Sequence, residues 1–174
     1  HGALESLEMG LLPMAQFNGK AGAQYRNPKD QELRLDFVTS MTRDGKPVVM
    51  PELNLVLVPL KFMEFSLEHP VQACVFSNLG ACSVNLPAPE RYAVYKLIVF
   101  GERPVGERAK ANKDVLQAAS LASYFLENGQ AGVFNDAWRD AIGRGKDWEE
   151  RAQQGRLALL RVAPELAVDD LWRA

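Results

Sequence analysis

The sequence predicts an α+β protein in which a mixed β-sheet with packed helices is followed by a C-terminal helical bundle. Three observations carry that prediction. Up to about Val58, short apolar runs are bounded by turn clusters, "NGK" at 18–20, "NPKD" at 27–30 and "DGK" at 44–46, the punctuation of strands. The stretch "QELRLDFVTS" alternates, with Leu33, Leu35 and Phe37 on one side and Arg34 and Asp36 on the other. Beyond Pro87 the period changes to three and four residues, the spacing of amphipathic helices, and stays so to the end. The predicted division is therefore residues 1–86 for the sheet-containing core and 87–174 for a helical domain.

The elements follow in order. Ala3 to Met9 reads as the tail of a helix, with Leu4 and Leu7 three apart and Gly10 at the capping position. Strands are expected near 14–17, 23–26, 32–38 and 47–50, and "VPLKFMEFSLEHP" spaces Leu60, Met63 and Leu67 for a short helix that Pro70 cannot continue. "VQACVFS" and "CSVNLP", joined by "NLGA", read as two strands and a turn. Pro89 suits the first turn of the helix "ERYAVYKLIVF", because a proline there gives up no intrahelical hydrogen bond. "GERPVGER" interrupts the pattern before a long helix from Arg108 to Glu127, which Asn128-Gly129 stops. Helices over 131–142 and 146–162 and a short segment with Leu171 and Trp172 complete the chain, their tryptophans suited to core or interface alike.

Composition excludes several functions. In 174 residues no apolar run approaches the roughly 18 that a membrane-spanning helix requires. A net charge of −2 gives no compositional support to nonspecific duplex binding through many phosphate contacts. Cys74 and Cys82 form no CxxC pair, and only His1 and His69 accompany them, so zinc-finger and histidine-based chemistry lack their residues; the expected compartment is the reducing cytoplasm. No GxxxxGK[ST], GxSxG, HExxH or GxGxxG motif occurs. Carboxylates, lysines and a divalent ion are left to carry any chemistry.

Asp36 is the first candidate. A strand interior disfavours aspartate, which competes for local backbone hydrogen bonds, so the position is either a solvated sheet face or a working carboxylate. Lys96 lies in a helix apolar on nearly every side, where its ammonium either snorkels to water or meets an anion. Lys110 and Lys113 are three apart on the polar face of the next helix with Asp114 beside them, and Lys20 follows the Asn18-Gly19 turn.

Four segments, "GLLPMAQFNGKAGAQYRNP", "LRLDFVTSM", "PLKFMEFSLEHP" and "LPAPERYAVYKLIVFGERPVGERAKANKDVLQAASL", together resemble a family of bacterial proteins with the nucleotidyltransferase fold of the polymerase-beta-like superfamily. The resemblance covers about residues 10 to 122. It implies transfer of a nucleoside monophosphate from an NTP to an acceptor that the sequence does not identify. It also implies two Mg²⁺ ions held by three carboxylates, of which Asp36 matches the third. Lys96 and Lys113, and more weakly Lys110 and Lys20, are implied as phosphate-binding cations, with Asp114 orienting Lys110 or capping a local pair rather than binding metal. The family's other two carboxylates come from a DxD after a Gly-Ser turn, and neither motif occurs here. Together with the non-methionine start, that departure leads us to expect the C-terminal portion of a longer enzyme, inactive by itself. The rival expectation is an inactive module of the same fold that binds a nucleotide, or a protein partner through its helical half.

Overall fold

The computed structural model describes residues 12–15, 21–27, 29–53, 55–78 and 80–173. The expected helix tail at 3–9, the Asn18-Gly19 turn and Lys20 lie outside the described residues. The chain forms two compact units, residues 1–64 and 65–174, and the architecture is α+β.

In the first unit, β1 (Leu12–Ala15), β2 (Ala21–Asn27) and β3 (Asp30–Asp36) form an antiparallel meander in that order. The β2–β3 turn is the predicted "NPKD" cluster, and the Lys29 N–H donates to Asn27 Oδ1 at 2.8 Å. Strand β3 keeps its alternation: Leu33 and Leu35 are half-buried while Glu32, Arg34 and Asp36 are exposed. Its apolar side is anchored by Tyr25, 6% exposed, whose ring meets Phe37 edge-on at 5.4 Å.

The strand expected over 32–38 is two strands. β3 ends at Asp36, and β4 (Val38–Ser40) joins a second sheet with β5 (Val48–Met50) and β6 (Leu55–Leu60) in the order β4-β6-β5. β6 had no separate place among the expected strands. It pairs parallel to β4, Val38 opposite Val58, and antiparallel to β5, so it separates the strands that flank the "DGK" turn. That turn forms, with Gly45 at φ +62 and its N–H bonded to Thr42 O at 3.1 Å, but it leads across β6 and makes no hairpin.

The boundary between units runs through α1 (Met63–Leu67), earlier than the compositional change at Pro87. Fully buried Phe65 explains where the following segment belongs: its ring lies against Trp148, 5.9 Å between centroids, within the helical unit. β7 (Val71–Ser77) and β8 (Gly80–Leu86) form the expected hairpin in unbroken register from Val71 opposite Leu86 to Ser77 opposite Gly80. Both cysteines are free; Cys74 faces Ser83 and Cys82 faces Val75, which puts the two thiols on opposite faces.

The helices are α2 (Pro89–Glu102), α3 (Arg108–Glu127), α4 (Ala131–Gly143), α5 (Lys146–Val162) and α6 (Asp169–Trp172). α2 packs against α3, α4 and α5, burying Ala93, Val94, Leu97 and Ile98 completely, which accounts for its apolar residues on nearly every side. Trp138 and Trp172 are core residues: their rings meet edge-on at 5.0 Å, and the Trp172 indole N–H donates to Leu166 O at 2.7 Å.

α2 and α5 cross at two glycines. A Cβ on Gly155 would stand 2.3 Å from Leu97 O and 2.6 Å from Leu97 Cα, and one on Gly101 would stand 2.7 Å from Arg151 Cα. Helix propensity alone favours alanine over glycine by about 1 kcal/mol. The backbone contact reverses the sign. Gly155→Ala is expected to destabilise the protein by about 1–3 kcal/mol through overpacking, read as a drop of several degrees in Tm, whereas Gly132→Ala, with open space around it, should lower Tm little or raise it.

Candidate functional site

The β2–β3 ladder positions Asp36. Gln24 is its partner in register, Leu35 faces Tyr25 one step along, and Arg34 faces Arg26 at the next. Side chains at opposed positions share a face, so Gln24, Arg26, Arg34 and Asp36 stand on one side of the sheet and Tyr25 and Leu35 on the other. Asp36 is exposed, and among the described residues its carboxylate accepts no hydrogen bond and forms no ion pair.

The predicted lysines lie in the helical unit. Lys96, with its side chain 16% exposed, meets an anion: its Nζ donates to Asp114 Oδ1 at 2.9 Å and stands 5.0 Å from the centre of the Tyr92 ring. Asp114, 2% exposed, takes a second bond at 2.5 Å from Arg103 Nε on its other oxygen. Arg103 Nη1 reaches on to Glu107 Oε2 at 2.9 Å, and Lys110 Nζ to Glu107 Oε1 at 3.2 Å. One chain of contacts thus links Lys96, Asp114, Arg103, Glu107 and Lys110. The hydrogen bond from Lys110, helped by that from Arg103, holds the Glu107 carboxyl below its ordinary range. Burial, the largest single effect, pushes the Arg103 guanidinium down, but the hydrogen bonds and negative charges of Asp114 and Glu107 together outweigh it and raise it. Lys113, the neighbour of Asp114, is exposed and unpaired among the described residues.

A second polar cluster escaped the sequence reading. Arg91, its side chain 8% exposed, donates Nε to Phe65 O at 2.8 Å, Nη2 to Glu68 Oε2 at 2.5 Å and Nη1 to Asp140 Oδ2 at 2.8 Å, and its guanidinium lies 4.0 Å from the centre of the Phe65 ring. Arg144 shares both carboxylates, reaching Glu68 Oε2 at 2.5 Å and Asp140 Oδ2 at 3.0 Å. The signal was the one that marked Lys96, a cation within an apolar helix, here in the first turn of α2.

A family model described as a nucleotidyltransferase matches residues 1–143. The chain belongs to this nucleotidyltransferase family. No curated protein and no solved structure matches it. The match ends at the last residue of α4, so the α2–α5 crossing joins a matched helix of the nucleotidyltransferase to one beyond the match. No described helix is long and apolar enough to cross a membrane.

The resemblance to polymerase-beta-like enzymes implies divalent ions held by several converging carboxylates. Among the described residues, no three of His, Cys, Asp and Glu come together in a way that could hold one. The described residues therefore do not fit a complete metal site, and Asp36 stands as a single carboxylate.

Two stability measurements check this electrostatic reading. Asp114→Ala leaves Lys96 and Arg103 without their shared counter-charge and is expected to cost about 3 kcal/mol in chemical denaturation, the low end for opening a buried ion pair. The second is a pH titration of Tm. The bond from Arg144 lowers the Glu68 carboxyl; burial raises Asp140, but bonds from Arg144 and Arg91 outweigh burial and lower it too. Carboxyls lowered by folding add stability above their unfolded values and lose it as pH falls through their folded ones, so Tm should drop from about pH 5 downward. Glu68→Gln should lower Tm at pH 7 and flatten that acid limb.

Proposed function

We propose that this chain contributes to a nucleotidyl transfer site that moves a nucleoside monophosphate from an NTP to an acceptor, with Asp36 supplying one of the site's carboxylates. The observation that carries the reading is an exposed, unpaired aspartate fixed by the β2–β3 ladder inside the matched family region. Asp36 is the last residue of β3, so the ladder fixes its backbone while its carboxylate stands on the open face.

In the reaction an acceptor oxygen bonds to the α-phosphorus, the bond between that phosphorus and the α–β bridging oxygen breaks, and pyrophosphate leaves with the electron pair. The acceptor's proton needs a base, and the free carboxylate of Asp36 suits that role or the role of one Mg²⁺ donor. Further donors of such a site are not brought together among the described residues. Lys113 is our first choice of phosphate cation in the helical unit, being exposed and without a partner among the described residues. Lys110 is second because it is shared with Glu107, and Lys96 reaches a phosphate only by releasing Asp114. Lys20 is retained on the family resemblance alone. The acceptor's class is left open, and the cytoplasm is the proposed compartment.

A second reading is a nucleotide-binding module of the same fold without chemistry, and it is favoured by the finding that, among the described residues, no three metal-ligating side chains come together. Asp36→Asn, made in the protein as its gene encodes it, separates the two. Loss of label transfer from an α-labelled NTP by roughly 10²–10⁴-fold, the scale for a positioned proton acceptor, supports the enzyme when Tm changes little. Nucleotide binding by calorimetry with no transfer in the parent protein, over a panel of NTPs and acceptors, supports the module.

A further inference from the structure

We propose that Arg26 and Arg34 form a phosphate-binding pair on the β2–β3 face, taking the polyphosphate of a nucleoside triphosphate beside Asp36. The two arginines are direct partners in the antiparallel ladder. Opposed side chains in such a pair have Cβ atoms about 5 Å apart, and like charges facing one another across a sheet destabilise it. Natural sheets pair such positions with opposite charge or keep them neutral, so two guanidiniums here need a compensating anion.

Among the described residues no carboxylate pairs with either guanidinium. Neither Arg26 nor Arg34 makes an ion pair or a side-chain hydrogen bond among those residues, although Glu32 and Asp36 stand two residues either side of Arg34 on the same exposed edge. Arg26 Nε is buried and has no acceptor. A buried donor without a partner costs about 1–3 kcal/mol, and such a group in a native protein calls for a ligand or an ion. Two planar guanidiniums offer parallel N–H groups to tetrahedral phosphate oxygens, the geometry arginine satisfies better than lysine.

Position selects the ligand. Asp36 is two paired positions beyond the arginines and therefore on the same face, with Gln24 opposite it, and the two steps of strand between Arg34 and Asp36 span about 7 Å. That separation suits a polyphosphate chain whose reacting end lies toward the carboxylate. In the helical unit Lys96, Arg103 and Lys110 hold carboxylates, whereas the strand arginines, in the unit that contains Asp36, hold none among the described residues. The choice of a nucleotide's polyphosphate rests on the nucleotidyl-transfer reading, but phosphate capture by the arginines does not.

The test is calorimetric titration of the protein with inorganic tripolyphosphate in EDTA, which removes metal ions and chemistry from the readout. Wild type should bind, and Arg34→Gln should weaken binding about tenfold or more, on the scale of a charge-assisted hydrogen bond. Arg34→Lys should recover part of the affinity, keeping the charge without the fork. Removing one of two opposed charges should leave Tm unchanged or raised, so loss of binding is not loss of fold. Because Arg34 is exposed, this variant keeps the proposal testable even where Arg26→Gln fails to fold. Asp36→Asn should keep or improve tripolyphosphate binding even where it abolishes transfer, which separates failure of this pair from failure of the transfer reading. No binding by wild type, or equal binding by Arg34→Gln, overturns the proposal.

Discussion

The helical unit depends on how closely α5 approaches α2. With no side chain at Gly155 or Gly101, the two backbones meet, and Leu97, Val94 and Ile98 are covered on the side that α3 and α4 leave open. A helix as apolar as α2 is stable in water only when neighbours enclose it. That enclosure also gives its cations their character. Arg91 and Lys96 are held where water is scarce, and each has a carboxylate from another part of the unit: Glu68 and Asp140 for the first, Asp114 for the second.

Charges in this protein therefore divide into those the fold consumes and those it leaves available. Asp114 is consumed completely, one oxygen for Lys96 and one for Arg103, a better use for a nearly fully buried carboxylate than a place beside Lys110. Glu68 and Asp140 are likewise shared between two arginines. On the β2–β3 face the opposite holds, where Asp36, Arg26 and Arg34 have no partners among the described residues. Buried charges without partners are costly, whereas exposed ones are cheap to keep free for a ligand. This contrast is what supports the proposal of a phosphate-binding face on the strands.

Much of the secondary structure was legible because it follows from local periodicity and turn chemistry. The alternation about Asp36, the start of α2 at Pro89, the end of α3 at Asn128-Gly129 and the β7–β8 hairpin all reflect constraints within a few residues. β6 was obscured by "VLVPLKF", where a continuous apolar run merges with the apolar stripe of α1. The "DGK" turn misled for a related reason: a turn between two strands makes a hairpin only if no third strand enters between them, and β6 does. Arg91 and Lys96 lie in the same helix with the same chemistry, yet only the one in the middle of the apolar run drew notice.

The sequence by itself determined the α+β class, the faces of β3 and α2, and the exposure of Asp36 opposite its apolar neighbours, because side-chain direction follows backbone period. Family membership was also legible, since motif order survives in the chain whatever its packing. Tertiary structure decided partnership. Whether Lys96 faces water or Asp114, whether Arg34 faces a carboxylate or Arg26, and whether Gly155 is a weakness or a necessity depend on residues 18, 8 and 58 positions apart that meet only when the chain folds, and none of these pairings leaves a periodic trace. For Lys96 and Asp114 the separation is 18 residues, and for Arg144 and Glu68 it is 76. Electrostatic partnership is set by distances of a few ångströms between such residues, which is why local pattern could name the charged groups but not say which of them remain free.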